Sequence, residues 1–311
     1  MEDELAFIKR LRGKERDVPP GEHWIGDDAA VLDGGLLFAT DVLVEGVHFD
    51  LEWCSGGDVG WKALAVNLSD LAAMGGTPRA AVVAMVVPGG RPALADEIAA
   101  GLGEASTRFG CPIVGGDTSA GDALVVTVSV LGAAPGSGAV LRSGAKNGDA
   151  IFVTGELGGA AAALRLLQET EARDVAVAEP IGLERLRRPT PRLSEGRAAA
   201  GAGATAMIDL SDGLSGDLAH ICEESGVGAV IRASAVPTAP TATLADIFGG
   251  GDDYELCFAA PDESSVNEAF ARAGLDAPVC IGHVTHAQRL LVEDHGIAGP
   301  MPEAGWRHRF C

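Results

Sequence analysis

The chain has 311 residues and carries 23 Lys and Arg against 44 Asp and Glu, which gives a net charge of −21. A chain this acidic lacks the basic surface that nucleic acids and anionic membranes require, so neither is expected as a partner. No apolar run approaches the roughly 20 residues that span a bilayer, and the acidic, amphipathic N-terminus does not resemble a signal peptide. The six cysteines show no CxxC spacing, which indicates mostly buried thiols in a reducing compartment. We therefore expect a cytoplasmic protein.

The first half of the chain is predicted to mix strands with helices. Apolar residues 29–32 and 36–40 flank a DGG turn, which predicts a hairpin. Residues 61–74 carry apolar side chains at three- and four-residue spacing and are followed by Gly and Pro, which predicts a helix. The other predicted elements are strands at 80–87, 113–115 and 123–131 and a helix at 92–109.

The second half restarts after a stretch that is rich in Gly, Ser, Ala and Pro, around residues 133–148. This shift in composition predicts a boundary between two domains, 1–142 and 143–311. The second domain is predicted to contain strands at 150–154, 206–210, 229–232, 254–259 and 279–283. Its predicted helices are at 158–169, 191–202 and 263–273, with another that is capped by Ser211 and ends near Ser225. Because strands and helices follow one another without strict βαβ alternation, the predicted fold class is α+β.

A set of aspartates is the strongest chemical signal. They lie in the segments GDDAAV, TDVLVEGVHF, NLSDLAAMG, GGDT, DLSDG and GGGDDYEL, among small or apolar neighbours rather than Lys or Arg. A carboxylate that leaves water needs a partner, and clustered carboxylate and hydroxyl oxygens suit Mg²⁺ or Ca²⁺. The predicted hairpin can bring Asp27 and Asp28 beside Thr40 and Asp41. Two carboxylates about 4 Å apart repel by about 4 kcal/mol at an effective dielectric near 20, and a divalent cation removes that penalty.

Each motif also has an ordinary structural explanation. Asp27 and Asp28 could form only a turn, and Asp70 could lie on the exposed face of its helix. The Gly-Gly-Asp segment that ends at Asp117 could be a strand-end turn, or its N–H groups could hold phosphate. The remaining cases are Asp209 and Asp212 at a strand–helix junction, where Ser211 could be an N-cap, and His48, where a core histidine is the alternative to a site residue.

Taken together and in order, the motifs resemble a known family. The segments GDDAAVL, TDVLVEGVHF, KALAVNLSDLAAMGGTP, GGDT, LRSGAKNGD, IDLSDGLSGDLAHI and GGGDDYELCF follow one another here. They closely resemble the thiamine-monophosphate kinase family, which belongs with aminoimidazole-ribonucleotide synthetase and selenophosphate synthetase, and the resemblance runs from about residue 5 to 310. It implies two α+β domains, an N-terminal sheet domain that pairs across a homodimer into an interfacial barrel, and a C-terminal α/β sandwich-like domain.

The resemblance also implies roles for individual residues. Ligands of several Mg²⁺ ions would be Asp28, Thr40, Asp41, Asp70, Asp117 and Asp209, with Asp212 for a further ion. Contacts to ATP would come from Gly116, Asp117, Arg142 and Ser211. Contacts to thiamine phosphate would come from His48, Asp252 and Trp306, and Asp252 stands where the family usually has Glu.

The implied reaction moves the γ-phosphoryl group of ATP onto thiamine phosphate. Phosphoryl transfer needs alignment and neutralised charge, so we expect direct in-line attack without a covalent, acid or base catalytic residue. One alternative is another ATP-dependent enzyme of the superfamily, such as a selenophosphate synthetase. Those enzymes usually carry a reactive Cys before the GDD motif, whereas the first cysteine here, Cys54, follows it. The other alternative is an inactive scaffold that binds Mg²⁺ and nucleotide, although a scaffold has no need of every aspartate.

Overall fold

Two β-sheets organise the chain in the computed structural model, which describes residues 4–13, 17–169 and 180–306. The first sheet has five strands in the order β1-β2-β5-β3-β4, and the second has seven in the order β12-β11-β8-β10-β6-β9-β7. The strands of the first sheet are β1 (Ala30–Leu32), β2 (Leu36–Val44), β3 (Thr77–Pro88), β4 (Ile113–Gly121) and β5 (Val125–Ala133). Those of the second are β6 (Ala150–Val153), β7 (Ala206–Asp209), β8 (Gly228–Arg232), β9 (Leu256–Ala260), β10 (Val279–Thr285), β11 (Leu290–Asp294) and β12 (Ile297–Pro300).

The helices of the described residues connect and cover these sheets. They are α1 (Glu4–Arg12), α2 (Gly56–Ala73), α3 (Pro92–Phe109), α4 (Gly159–Glu169), α5 (Pro180–Arg187), α6 (Leu193–Gly201), α7 (Leu214–Ser225), α8 (Leu244–Gly249) and α9 (Glu263–Ala273). None of these described helices is both long and apolar enough to cross a membrane. The predicted α+β class is confirmed. The predicted boundary between residues 142 and 143 falls in the connection from β5 to β6 and stays a prediction.

Helix α2 is the central element because it contacts both halves of the chain. A capping box fixes its start: Ser55 accepts from the Asp58 N–H while the Asp58 side chain accepts from the Ser55 N–H. Glycines let neighbouring backbones approach it, since a Cβ on Gly60 would lie 2.1 Å from the Ile98 carbonyl oxygen of α3. A Cβ on Gly196 of α6 would lie 2.1 Å from the Ala72 carbonyl oxygen. The largest core cluster accordingly includes residues of both sheets, such as Val128 and Phe258.

Two local predictions are wrong. The Gly-Gly-Asp-Thr segment at 115–118 is not a turn after a short strand, because β4 runs on to Gly121 in parallel pairing with β3. Gly116 is needed there because a Cβ would lie 2.0 Å from the Val83 carbonyl oxygen. Ser211 does not cap the next helix, since α7 begins at Leu214 with Gly213 at the N-cap position.

Other differences concern element ends and short elements. The strand predicted at 254–259 starts two residues later, because Asp252 and Tyr254 have positive φ angles of 68° and 50°, which an extended strand does not allow. Helices α5 and α8 and strands β11 and β12 were not predicted, since each is too short to show a clear period. Of the cysteines, four are buried and Cys280 is half-buried, while Cys311 lies outside the described residues.

Candidate functional site

Three aspartates from separate parts of the chain meet in one cluster. Asp28 lies in the loop before β1, Asp70 lies near the end of α2, and Asp209 is the last residue of β7. Each offers a carboxylate oxygen, and these oxygens all lie within 4.8 Å of one another. The cluster therefore joins the two halves of the protein, at the point where α2 contacts β7. Such a set of close oxygen ligands suits a divalent cation.

Asp41 is held beside this cluster by the packing of β2 on α2. Its side chain shares the helix-facing side of β2 with Leu37 and Leu43, which are buried. Its backbone N–H donates to Oδ1 of Asn67, 2.9 Å away, and the Asn67 amide donates to the Ala63 carbonyl at 2.9 Å. Asn67 is fully buried and Asp70 is half-buried, so this face of α2 packs toward the strand, and Asp70 does not lie on an exposed face of its helix.

Burial and like charge dominate the electrostatics of the cluster. Burial, followed by the charge of Asp28, raises the pKa of Asp41 to about 6 and that of Asp209 to about 8. The same two causes raise the pKa of Asp27 to about 7. Burial and the charges of Asp41, Asp209 and Asp28 also raise the pKa of Asp70 well above its usual range. The negative charge of these carboxyls is not fully compensated by nearby positive groups, and a bound cation would compensate it.

Arg142 supplies the basic partner that the local sequence lacks. One of its terminal nitrogens donates to Oδ1 of Asp28 over 2.7 Å, and its backbone N–H donates to the carboxylate of Asp27 at 3.0 Å. The sequence neighbours of Asp28 are not basic, but the fold gives it a basic partner from 114 residues further along the chain. The other oxygen of Asp28 is buried without a hydrogen-bond partner. That orphaned oxygen beside Asp70 and Asp209 fits a metal ligand.

In the absence of divalent cations, we expect the free energy of unfolding to fall as the pH rises from about 4 to about 8. Unfolded Asp has a pKa near 3.9, whereas burial and the charge of Asp28 raise the pKa values of Asp41, Asp27 and Asp209 in the folded protein to about 6, 7 and 8. The folded state thus binds more protons than the unfolded state in this window, and it loses stability as those protons leave. The rise in the pKa of Asp41 from 3.8 to about 6 by itself corresponds to a loss of about 3 kcal/mol in the free energy of unfolding at neutral pH.

Denaturant unfolding in EDTA across this pH range measures the effect, with a parallel series in saturating Mg²⁺ as the control. A bound cation would remove the repulsion, so we expect Mg²⁺ to flatten the pH dependence. Equal pH dependence in the two series would show that the aspartate cluster is not its source.

A second group of predicted residues lies around Lys62, which the sequence analysis missed. Lys62 is buried in α2, and its ammonium donates to the carbonyl of His48 at 3.1 Å and to Oδ2 of Asp252 at 2.9 Å. The Tyr254 hydroxyl donates to the other oxygen of Asp252 at 3.0 Å. The imidazole Nδ1 of His48 accepts from the Val44 N–H at 3.1 Å. The sequence did contain a signal for Lys62, since a charged residue within an apolar helix pattern indicates a buried charge that needs a partner.

The junction after β7 brings together Ser211, Asp212 and Trp306. The Ser211 carbonyl accepts from the Asp252 N–H at 3.0 Å, and the Asp212 carbonyl accepts from the Trp306 N–H at 3.1 Å. The exposed Trp306 ring is therefore tethered next to Asp212. Asp217, another residue that the sequence analysis missed, accepts from the N–H groups of Asp212 and Gly213, both at 3.1 Å. Asp217 thus accepts from the N–H groups that precede α7, the helix that Ser211 had been expected to cap.

Some residues that were predicted to bind metal or ATP lie away from the cluster within one chain. The side chain of Thr40 lies on the opposite face of β2 from Asp41, and its hydroxyl donates to the Val128 carbonyl at 3.0 Å. Gly116 and Asp117 lie on the edge strand β4, which β5 and β3 separate from β2. Three strand spacings place Asp117 about 14 Å from Asp41.

The family resemblance also includes residues 307–310, which lie outside the described residues.

Comparisons with known proteins match both halves of the chain. Residues 26–134 match the family described as AIR synthase related protein, N-terminal domain, and residues 146–295 match its C-terminal domain. The chain is 38% identical over 293 residues to the thiamine-monophosphate kinase of Escherichia coli (strain K12), which covers 90% of this chain and 88% of that one. It is 40% identical over 270 residues to the thiamine-monophosphate kinase of Bacillus subtilis (strain 168), which covers 82% of each chain. A solved structure, AaThiL complexed with AMPPCP and TMP, superposes with a TM-score of 0.83 at 28% identity and covers 99% of this chain and 97% of that one.

Proposed function

Because this chain belongs to the thiamine-monophosphate kinase family of AIR synthase related proteins, we propose that it transfers the γ-phosphoryl group of ATP to thiamine phosphate. The products would be thiamine diphosphate and ADP. The observation that carries the proposal is the cluster of Asp28, Asp70 and Asp209, with carboxylate oxygens within 4.8 Å of one another and one oxygen of Asp28 left without a partner. Cations bound by these carboxylates would let a protein with net charge −21 hold the polyphosphate of ATP.

The ligands that we propose for Mg²⁺ are the clustered aspartates together with Asp41, and Asp212 for a further ion. When bound, Mg²⁺ would supply the positive field that lets two phosphates approach each other. The clustered carboxylates come from a loop, a helix and a strand end, so the fold itself fixes their spacing. The raised pKa values of Asp70 and Asp209 mean that these two carboxyls bind protons in competition with cations near neutral pH.

Arg142 is the residue that we propose to contact the phosphates of ATP. Its guanidinium lies against Asp28, at the edge of the cluster, and so stands where a cation-bound phosphate would arrive. Gly116, Asp117 and Ser211 complete the proposed ATP contacts. His48, Asp252 and Trp306 are the proposed contacts to thiamine phosphate.

The transfer is proposed to be a direct in-line attack by a phosphate oxygen of thiamine phosphate. A phosphate monoester has its second pKa near 6, so the attacking oxygen is already ionised at neutral pH and needs no general base. The chain's residues bind and orient the two substrates, which is the main protein contribution to phosphoryl transfer.

A direct assay tests this function. Purified protein, ATP, Mg²⁺ and thiamine phosphate are expected to give thiamine diphosphate and ADP in equal amounts. With ATP made chiral at the γ-phosphorus, a single in-line transfer is expected to invert that centre. No thiamine diphosphate across a range of Mg²⁺ concentrations would refute the kinase assignment, and ATP consumption with selenide would favour the selenophosphate synthetase alternative. Nucleotide binding without turnover would favour the inactive scaffold.

We further propose a cytoplasmic homodimer that forms through the first sheet. Strand β4 lies at the sheet edge with its residues exposed, and Val114 in it is 66% exposed. Phe38, Val42 and Val82 leave further apolar surface uncovered on the same sheet. An exposed edge and an exposed apolar face favour association with a second copy. Because Asp117 lies far from Asp41 in its own chain, we propose that it serves the site of the other copy.

Mixing two inactive variants is expected to restore activity if Asp117 acts across the dimer. Asp70→Asn and Asp117→Asn would each be inactive alone, but a heterodimer of the two would hold one site with both aspartates intact. After full subunit exchange, about a quarter of the wild-type rate is expected. A mixture of Asp70→Asn with Asp209→Asn is the control, because both residues lie in one cluster and no restored site can form. No recovery in the first mixture, once exchange is verified, would place Asp117 outside a shared site.

A further inference from the structure

Lys62 is a buried cation that neither the metal cluster nor the proposed ATP contacts use. Its side chain is 2% exposed, although it lies in a helix of mostly apolar residues. Burying an ammonium group is costly unless charged or polar partners surround it. The partners here are the carbonyl oxygen of His48 and the carboxylate of Asp252. Both belong to segments that are proposed to contact thiamine phosphate.

The Asp252 loop adopts a backbone that costs energy and therefore needs support. Asp252 and Tyr254 have φ angles of 68° and 50°, in the left-handed region that non-glycine residues rarely adopt. The two oxygens of Asp252 accept from Lys62 and from the Tyr254 hydroxyl, at 2.9 and 3.0 Å. The loop is also joined to the junction after β7 by the hydrogen bond from Asp252 N–H to the Ser211 carbonyl. Lys62 thus holds one side of a loop with an unfavourable backbone conformation.

The position of Lys62 on α2 links the two parts of the site. Asp70 lies eight residues further along the same helix, about 12 Å away along its axis. Lys62 contacts the His48 segment, which follows β2, and the Asp252 loop, which precedes β9. One rigid helix therefore sets the distance between the aspartate cluster and the two segments around Lys62.

We propose that Lys62 is a positioning residue for the second substrate. It fixes the His48 segment and the Asp252 loop relative to each other, and it fixes both relative to Asp70. This inference rests on the proposed kinase function, because it assigns those two segments to thiamine phosphate. Lys62 acts through these neighbours, so its loss misplaces the acceptor phosphate and leaves the nucleotide contacts at Arg142 in place.

The test compares steady-state kinetics of Lys62→Met with those of the wild type, with each substrate varied in turn. We expect the KM for thiamine phosphate to rise and kcat/KM for that substrate to fall about 10- to 100-fold, since misplacement by about 1 Å can lower a rate by about 100-fold. The KM for ATP is expected to stay within about twofold of the wild-type value, because the ATP contacts do not involve Lys62. Lys9→Met is the matched control, since Lys9 makes an exposed ion pair with Glu223 at 2.7 Å. It is expected to change neither KM.

Two further variants separate positioning from folding. Lys62→Met leaves Asp252 without its cation, whereas the double variant Lys62→Met/Asp252→Asn has no unpaired charge and is expected to be more stable than the single variant. Lys62→Arg keeps the charge and is expected to recover part of the affinity. Calorimetric titration with thiamine phosphate gives binding independently of turnover.

The outcomes distinguish this inference from the function on which it rests. A wild-type protein that makes no thiamine diphosphate would refute the proposed function itself. An active wild type, together with a folded Lys62→Met variant whose KM for thiamine phosphate is unchanged, would refute the positioning role alone. Equal rises in both KM values would also refute it, because a general loosening of the fold would explain them.

Discussion

Replacing Asp70 with Asn is expected to abolish phosphoryl transfer and at the same time to stabilise the metal-free protein. Asp70 is one of the three clustered carboxylates, and its pKa is raised by burial and by the charges of Asp41, Asp209 and Asp28. The amide keeps the shape of the side chain but cannot ionise, so it adds no negative charge to a crowded site. Loss of a ligand in the transition state is expected to lower kcat by about 10²- to 10³-fold. Removal of like-charge repulsion is expected to raise the melting temperature without metal.

Rates of thiamine diphosphate formation and thermal unfolding, each with and without Mg²⁺, measure both effects. The matched control is Asp276→Asn, an exposed aspartate in the second half of the chain, which is expected to behave like the wild type. Stabilisation by Mg²⁺ should shrink in Asp70→Asn, since the cation has one ligand fewer. An unchanged rate would remove Asp70 from the site, and a metal-free melting temperature below that of the wild type would contradict the repulsion in the cluster.

Replacing Arg142 with Met is expected to have the opposite effect on stability. Arg142 donates to the fully buried side chain of Asp28 at 2.7 Å, and 23% of the Arg142 side chain is exposed. Without the guanidinium, Asp28 remains buried beside Asp70 and Asp209 with no positive partner. We expect the metal-free protein to lose about 2–3 kcal/mol, less than for a wholly buried pair. Mg²⁺ should restore much of that loss, because it would take the place of the missing charge.

The same substitution is expected to weaken ATP more than thiamine phosphate. Loss of the proposed phosphate contact should lower kcat/KM for ATP by about 100-fold or more. Arg197→Met is the control, since Arg197 is exposed and donates to Ser194 within its own helix. Denaturant unfolding with and without Mg²⁺ gives the stability, and steady-state kinetics gives the ATP effect. An unchanged kcat/KM for ATP would show that Arg142 serves only to neutralise Asp28.

Local pattern accounts for much of the fold. The helix at 92–109 was predicted with the bounds that the structure has, because apolar spacing, an initial Pro and a following Gly mark both ends. The helix at 263–273 was predicted equally well, and Asp262 caps it by accepting from the N–H groups of Ser264 and Ser265. These signals lie within a few residues of the helix ends, so they are readable without tertiary structure.

Local pattern was insufficient where distant groups set the backbone. The Gly-Gly-Asp-Thr segment resembles a turn, but parallel pairing with β3 makes it part of a strand. Ser211 has the residue type of an N-cap, but Asp217 takes the N–H groups of Asp212 and Gly213 instead. In both cases a partner outside the short window decides which hydrogen bonds form.

The sequence by itself determined the types of most of the longer elements, the α+β class, the family resemblance and the aspartates as candidate ligands, because periodicity and residue chemistry are local properties. Only the tertiary structure decided which of these residues meet. It brings Asp28, Asp70 and Asp209 together and leaves Asp117 on a distant edge strand. It also pairs Arg142 with Asp28 across 114 positions and Lys62 with Asp252 across 190. Such contacts depend on how α2 packs between the two sheets, and that packing is a property of the whole core.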